Sequence, residues 1–446
     1  MWGISDRRQK LAVVFGIVVV DLLGWGIVVP ILPLYAQHFG ASEFVAGLLF
    51  TSYAGAQFVF APLLGRLSDQ YGRRPVLLVS VAGSVVAWTL FGLSSVFGGL
   101  LLLFASRILA GVMGGNIAAA QAYIADIMPP EKRAKGLGLI GAAFGVGFLF
   151  GPSIGAVTSS PAVVDAVGGL SVIPAFVPIN EFSLPGFVAA VLSLVNLLVG
   201  IVILPETNTG QNESGAETTP ETARLAAIRQ ALGTPVLGGL LVAYLLVWFA
   251  FASLESQFVL FTGDIYGYGT ATNGYLFTYL ALVATVVQAT LVGPLSDRVG
   301  VRRLAALCLA VLACSFVALP FSRTIATVTP SLAVPLVGTT LSADLVALGG
   351  VLTPIAASYG LSSILLETLI SGYTDEGAQG GMFGVVQSTN GLSRTLGPGI
   401  AGGLYTGVAY WAPFVAGGLA LVPATIVLLQ SEAAVDSHAD GATPSD

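Results

Sequence analysis

Twelve apolar runs, each long enough to cross a bilayer, recur along this 446-residue chain and leave little room for any other kind of fold. They lie at Leu11–Tyr35, Val45–Leu64, Val76–Val96, Gly99–Ala125, Gly136–Val157 and Pro185–Leu204, then at Val236–Phe261, Thr272–Leu295, Leu304–Phe321, Leu345–Ile370, Gly380–Tyr405 and Tyr410–Leu429. A spanning helix needs about 20 apolar residues, because hydrocarbon offers no partner to a backbone N–H or C=O and the segment must satisfy its own. Only 9% of the residues are charged and 55% are hydrophobic. Soluble domains carry about 25% charged residues, so one water-soluble core of this size is excluded. The expected class is all-α and integral to a membrane.

The basic residues give the orientation, since short cytoplasmic loops collect Lys and Arg. Arg7, Arg8 and Lys10 precede the first run; Arg66, Arg73 and Arg74 follow the second; Lys132, Arg133 and Lys135 follow the fourth; Arg224 and Arg229 follow the sixth; and Arg298, Arg302 and Arg303 follow the eighth. All lie on the side of the N-terminus, and Arg323 alone stands out opposite. The chain is expected in the cell membrane, multi-pass, with both termini cytoplasmic. The first run is too long for a signal-peptide core and is read as retained. The organisation follows: a six-helix bundle over residues 1–204, a cytoplasmic linker over 205–234, a second bundle over 235–430 and an acidic tail over 431–446. Two long outer loops, 158–184 and 322–344, carry no readable chemical pattern.

Several functions are excluded. Cys308 and Cys314 share one apolar run, and His38 and His438 are the only histidines, so no metal site is expected. No phosphate-binding G-x-x-x-x-G-K-[ST] occurs, and no cofactor is expected. No basic stretch suits nucleic acid. Gly151–Gly155 fits G-x-S-x-G, but that nucleophile needs a strand-to-helix turn and a histidine, and here it lies within a membrane helix. The chain is not read as an enzyme.

An internal repeat is present. Gly65-Arg66-Leu67-Ser68-Asp69, then Gly72-Arg73-Arg74, follows the second run; Gly293-Pro294-Leu295-Ser296-Asp297, then Gly300 and Arg302-Arg303, follows the eighth. Gly151-Pro152 in the fifth run matches Gly397-Pro398 in the eleventh. Two six-helix bundles related by pseudo-symmetry are the simplest reading, and repeats of this kind are a transporter architecture.

These motifs carry a family resemblance. The first loop matches G-x-x-x-D-x-x-G-R-[KR], the signature of the major facilitator superfamily. Arg107 to Gly111 resembles its R-x-x-x-G element. Gly141–Ala156 resembles the glycine-proline element of its proton antiporters, with Ala156 in place of the last glycine. Asp21-Leu22-Leu23-Gly24-Trp25-Gly26, then Pro30 and Pro33, resembles the first helix of tetracycline and multidrug exporters. The resemblance implies a secondary transporter, with proton-coupled efflux of small drug-like molecules by alternating access. A sugar or nutrient symporter or uniporter of the same superfamily, and a membrane sensor on the same fold, stand as alternatives. The expected partners are a small-molecule substrate, protons and lipid, and the chain is expected to be a monomer.

Residue by residue, Asp21 falls near mid-bilayer, where a carboxylate tends to take up a proton and can carry it. Arg107 is also deep and needs a partner or water. The family places its first and fourth helices on the cavity, which makes Asp21 a candidate partner. Glu255 is a third coupling candidate, and Glu367, near the cytoplasmic end of its run, is expected to reach water. Gly65, Asp69, Gly72, Arg73 and Arg74, with Asp126 as the partner that the resemblance implies, read as a cytoplasmic gate. Asp297, Arg302 and Arg303 are its second copy, and Asp69 suits a helix N-terminus. Gly147, Gly151, Pro152 and Gly155 form a close-packing stripe, which Gly399, Gly403 and Gly407 repeat. Gln57, Asn116, Gln121, Gln257, Gln288, Gln387 and Asn390, together with Tyr123, are candidates for the pathway lining.

Overall fold

A computed structural model describes residues 4–129, 132–171, 173–174, 176–207, 235–334, 339–374 and 379–440. The greater part of the expected linker, 208–234, and the last residues of the tail, 441–446, lie outside them, as do the side chains of Arg7 and Arg8.

The described chain is almost wholly helical. Its helices are α1 (Ile4–Val28), α2 (Leu32–His38), α3 (Glu43–Tyr71), α4 (Arg73–Leu93), α5 (Gly99–Met113), α6 (Asn116–Ile127), α7 (Arg133–Thr158), α8 (Pro161–Gly168) and α9 (Ser183–Ile203). They continue as α10 (Pro235–Tyr266), α11 (Thr270–Val299), α12 (Val301–Ala318), α13 (Ser322–Ala326), α14 (Ala343–Gly372), α15 (Gln379–Gly407) and α16 (Ala412–Asp440). Among the described residues, 11 helices are long and apolar enough to span a membrane. The twelfth expected span is α15, whose 29 residues include Gln387, Thr389, Asn390, Ser393 and Arg394.

Several expected boundaries move, each for a local reason. The first run breaks at Pro30, and α2 restarts with Pro33 in its first turn, the place where proline fits. The fourth run bends between α5 and α6 at Gly114-Gly115, where the Gln57 amide donates to the freed Gly114 carbonyl at 2.9 Å. The motif expected to follow the second run is instead the end of α3. The turn is made by Gly72 at φ +104°, a conformation that a side chain resists, and Gly300 repeats it at φ +86°. The two long loops hold regular structure: α8 lies in the first, and α13 and an antiparallel pair, β1 (Leu332–Val334) with β2 (Thr339–Leu341), lie in the second. The helix expected to end near Leu429 runs on to Asp440.

Packing follows the logic of a lipid solvent. Toward lipid α9 shows Val191, Leu194, Val195, Leu198 and Val202. Toward its neighbours it turns Ala189, Ala190, Ser193, Asn196 and Gly200. Large apolar groups gain nothing by leaving lipid, whereas small ones let backbones approach. Asn196 adds a hydrogen bond to the Ile17 carbonyl of α1.

The chain divides into two compact units, Met1–Ala216 with Glu255–Ala281, and Glu217–Leu254 with Leu282–Asp446. Glu255–Ala281 groups with the first because it is tied to α1 and α7 there. Trp25 bonds Glu255, Ser153 bonds Thr278, and Gly274 abuts Pro152 and Ala156.

Candidate functional site

Within the first unit, one stretch of α1 meets a different neighbour at almost every residue. Asp21, half-buried, accepts a hydrogen bond from the Ser84 hydroxyl of α4 at 3.3 Å. One turn on, a Cβ at Gly24 would lie 2.8 Å from the six-membered ring of Trp88, also on α4. Trp25 donates its indole N–H to Glu255 of α10 at 3.1 Å, with both side chains buried. Its ring stacks on Tyr53 with centroids 4.2 Å apart and meets the edge of Phe50. Gly26 faces α7, where a Cβ would lie 3.0 Å from Gly151 Cα and closer still to the Gly147 carbonyl.

The glycine stripe is the other half of that contact. A Cβ on Gly151 would lie 2.6 Å from Gly26 Cα, one on Gly155 would reach 2.5 Å from the Ile27 carbonyl, and one on Gly147 would run into Leu22. The backbones of α1 and α7 therefore touch where no side chain fits. Of the proposed repeat of this stripe in the second unit, Gly407 is open: a Cβ there would meet nothing within 4 Å. Gly397 of α15 is tight: a Cβ there would lie 3.2 Å from Ala252 and 3.3 Å from the Phe249 carbonyl.

Arg107 is fully buried on α5. Its guanidinium carbon lies 4.5 Å from the centroid of Trp88 and 4.8 Å from that of Phe91, and its Nε donates to Ser106 at 3.4 Å. Nη1 and Nη2 have no hydrogen-bond partner among the described residues. The ion pair considered between Asp21 and Arg107 is thus not formed. The acid is held by a hydroxyl and the base by aromatic faces, which attract a cation through their quadrupole. Glu255 is sealed against Trp25. Glu367, in the second unit, is exposed and accepts from the Tyr244 hydroxyl at 2.9 Å.

At the end of α3 in the first unit, Arg73 is the centre of a cluster. It donates to Asp69 and to Ser68, and its Nε lies 3.1 Å from Asp126 on α6. Arg74 does not reach Asp126; it donates to the Ile201 carbonyl of α9 at 2.8 Å. Asp69 sits in the last turn of α3 rather than at a helix N-terminus. The N-terminus of α4 belongs to Glu206, a residue missed in the sequence. Its carboxylate accepts the backbone N–H groups of Arg73 at 3.0 Å and Arg74 at 3.1 Å, and that of Thr207 at 2.9 Å. It meets the positive end of the helix dipole and two amides that the helix leaves unpaired. The only signal was an acid directly after the sixth run. Tyr123, a lining candidate, braces this corner, donating to the Pro205 carbonyl at 3.0 Å.

The second copy is sparser. Asp297 and Arg303 are exposed, and Arg302 donates to the Tyr373 hydroxyl and lies over its ring. Of the polar lining candidates, Gln57 and Gln288 are spent on backbone carbonyls, Gly114 and Gly360. Asn116 is fully buried with neither amide atom hydrogen-bonded among the described residues, and Gln257 is buried with its amide N–H on Ser256. Gln121 and Asn390 are half-buried and Gln387 is exposed. Arg394 is half-buried on α15. Ser153 spends its hydroxyl on Leu149 and Thr278, so the nucleophile reading has no geometric support.

Comparison with known proteins gives the family and the fold. The profile of the family described as Major Facilitator Superfamily matches residues 14–364. The chain is 31% identical over 407 residues to the class E tetracycline resistance protein of Escherichia coli, covering 90% of this chain and 88% of that one. It is 30% identical over 394 residues to the class G protein of Vibrio anguillarum, covering 88% and 89%. Among solved structures it resembles the human organic anion transporter MFSD10 (TETRAN), with a TM-score of 0.60, 22% identity and coverage of 95% and 99%. A bacterial homologue of the human lysosomal transporter Spinster gives 0.68 at 16% identity, covering 97% and 96%.

Proposed function

The chain belongs to the major facilitator superfamily and is a multi-pass membrane transporter, and on that footing we propose that it exports small organic compounds in exchange for protons. Asp21 is the proton carrier in this reading. The observation that carries it is the α1 stretch itself: a carboxylate within a membrane span, bonded among the described residues by one neutral hydroxyl, about one turn before a backbone-to-backbone seal against α7. A carboxylate so placed can lose or gain its charge as its access to water changes. Tight glycine packing beside it opposes leakage of protons past it. The tetracycline resistance relatives favour efflux of an amphipathic, drug-sized compound over nutrient uptake.

Arg107 and Glu255 complete the coupling set, and Asp69, Arg73, Asp126 and Glu206 act as the cytoplasmic latch. The chain works by alternating access as a monomer in the cell membrane, with both termini cytoplasmic. Its working halves are residues 1–204 and 235–430, joined by the linker 205–234 and followed by the tail 431–446. The test is flux in proteoliposomes with an imposed pH gradient and tetracycline as the probe. An inward proton gradient is expected to drive the probe outward. Probe moving in the same direction as protons would overturn antiport and favour the nutrient-symporter alternative.

A further inference from the structure

Between Asp21 and Arg107 stands a residue that no motif singles out. Trp88 lies on α4 one turn beyond Ser84, so the two share a face. The edge of its indole abuts α1 at Gly24, at a separation that leaves no room for even a methyl group. Its face carries the Arg107 guanidinium at 4.5 Å. It is 2% exposed, and its own N–H has no hydrogen-bond partner among the described residues. A buried indole normally satisfies that donor. Here the ring is placed for its shape and its face, not for its polar tip.

We propose that Trp88 is a positioning residue for proton coupling, a spacer that keeps Arg107 from forming a standing ion pair with Asp21. The inference rests on the reading of Asp21 as the proton carrier. Ser84 and Trp88 are four residues apart, so their axial separation is only about 6 Å. The groups they hold are therefore near enough for a long arginine side chain to close the gap if the ring were gone. A permanent Asp21–Arg107 pair would hold the carboxylate ionised and stop it from cycling. With the indole in place the cation is stabilised by π faces, and its two outer nitrogens stay uncommitted. The acid is left with one weak neutral donor and remains able to take up a proton.

The other charged groups on the surrounding helices lie elsewhere. Those of α4 are Arg73 and Arg74 in its first turn; those of α7 are Arg133 and Lys135 in its first turn. Helix α9 has none, and α6 has Asp126 near its end. On α1 itself, Lys10 is three turns away. Arg66 and Asp69 on α3 are at its cytoplasmic end and Glu43 is at its start, so α3 brings only Tyr53 to this level. Glu255 on α10 accepts from Trp25. Arg107 is thus the charge that removal of the spacer would bring to Asp21.

The experiment is a pH titration of the Asp21 carboxyl by infrared difference spectroscopy on the purified full chain in lipid nanodiscs, the band being identified by its loss in Asp21→Asn. Trp88→Leu is expected to move the midpoint toward acid by about one pH unit, a ten-fold change in proton affinity. Trp88→Phe, which keeps a ring under the guanidinium, should stay near the wild-type midpoint. Adding Arg107→Gln to Trp88→Leu should bring the midpoint back. Where the leucine variant gives no folded protein, Trp88→Met fills more of the space and should shift in the same direction. An unmoved midpoint in Trp88→Leu or Trp88→Met overturns the proposal, as does a shift that survives Arg107→Gln. Should Asp21→Asn exchange substrate like wild type in liposomes, the transport reading fails, but this titration still reports on the spacer.

Discussion

Replacing Gly151 by alanine sets a methyl group 2.6 Å from Gly26 Cα, 2.8 Å from its carbonyl carbon and 3.0 Å from Ile27 N. All three are backbone atoms of α1, so no rotamer change can make room and the two helices must part. Overpacking of this kind costs about 1–3 kcal/mol. The gain from exchanging glycine for alanine within a helix offsets about 1 kcal/mol of that. The net expectation is a loss of about 0–2 kcal/mol. Gly145 lies on the same helix, and a Cβ there would meet nothing within 4 Å. Gly145→Ala should therefore keep only the gain, so the two variants should differ by about 1–3 kcal/mol. Thermal unfolding of the purified proteins in detergent gives the order: Gly145→Ala at or above wild type, Gly151→Ala below it, Gly151→Leu lowest. Proton leak into liposomes should rise in the same order. Equal stability of the two alanine variants would refute the argument that α1 and α7 meet through their backbones.

Asp21→Asn preserves size and mimics the neutral acid, so it should fold and reach the membrane yet lose pH-driven export; wild-type flux in everted vesicles would sink its role as carrier. Asp69→Ala and Arg73→Ala should each slow turnover and combine with a coupling of about 0.5 kcal/mol, small because Asp69 is 45% exposed. Additive losses in that cycle would reduce the latch to loop topology. Glu206→Ala removes the acceptor for three backbone amides and should cost about 0.5–2 kcal/mol, as a lost helix cap does. Glu206→Gln, which keeps one acceptor oxygen, should cost less, and a reversed order by thermal unfolding would argue against the cap.

What was legible in the sequence was set by solvent and by special backbone. Apolar runs of spanning length gave the helices because lipid demands them, and Gly72 and Gly300 stood out as matching positions of the internal repeat, though that they make the turns at φ +104° and +86° was seen only in the structure. Asp126 was reached through resemblance, and it does bind Arg73. Other features depend on which helices are neighbours, and periodicity does not say. Glu206 is 133 residues from the amide it caps. Trp88 reads as one more apolar residue until α1 and α5 are seen on either side of it. Asp21 was a candidate partner for Arg107 because the family resemblance places the first and fourth helices on one cavity. The structure instead sets each against neutral groups, a hydroxyl for the acid and aromatic faces for the base, an arrangement that composition cannot distinguish from an ion pair.

The sealed and the adaptable contacts of α1 lie within two turns of one another, and their chemistry differs as their tasks require. Against α7 the contact is glycine on glycine, where any added atom collides and the interface has a single way to pack. Against α4 it is a hydroxyl on a carboxylate and an indole edge on a glycine. The hydrogen bond, long at 3.3 Å, can be given up at small cost, since a typical one contributes about 1 kcal/mol net. A carrier that must keep its carboxylate from leaking protons, yet let it change state, needs one rigid wall and one yielding wall. Gly26→Ala should harm the rigid wall and Ser84→Ala the yielding one. The first is expected to lower stability, because its Cβ would meet the Gly147 carbonyl at 2.6 Å. The second should leave stability within about 1 kcal/mol of wild type. It removes a donor that favours the ionised acid, so the pH at which export is half-maximal should move toward alkaline. If Ser84→Ala left that pH unchanged while Gly26→Ala moved it, the two walls would have been assigned the wrong way round.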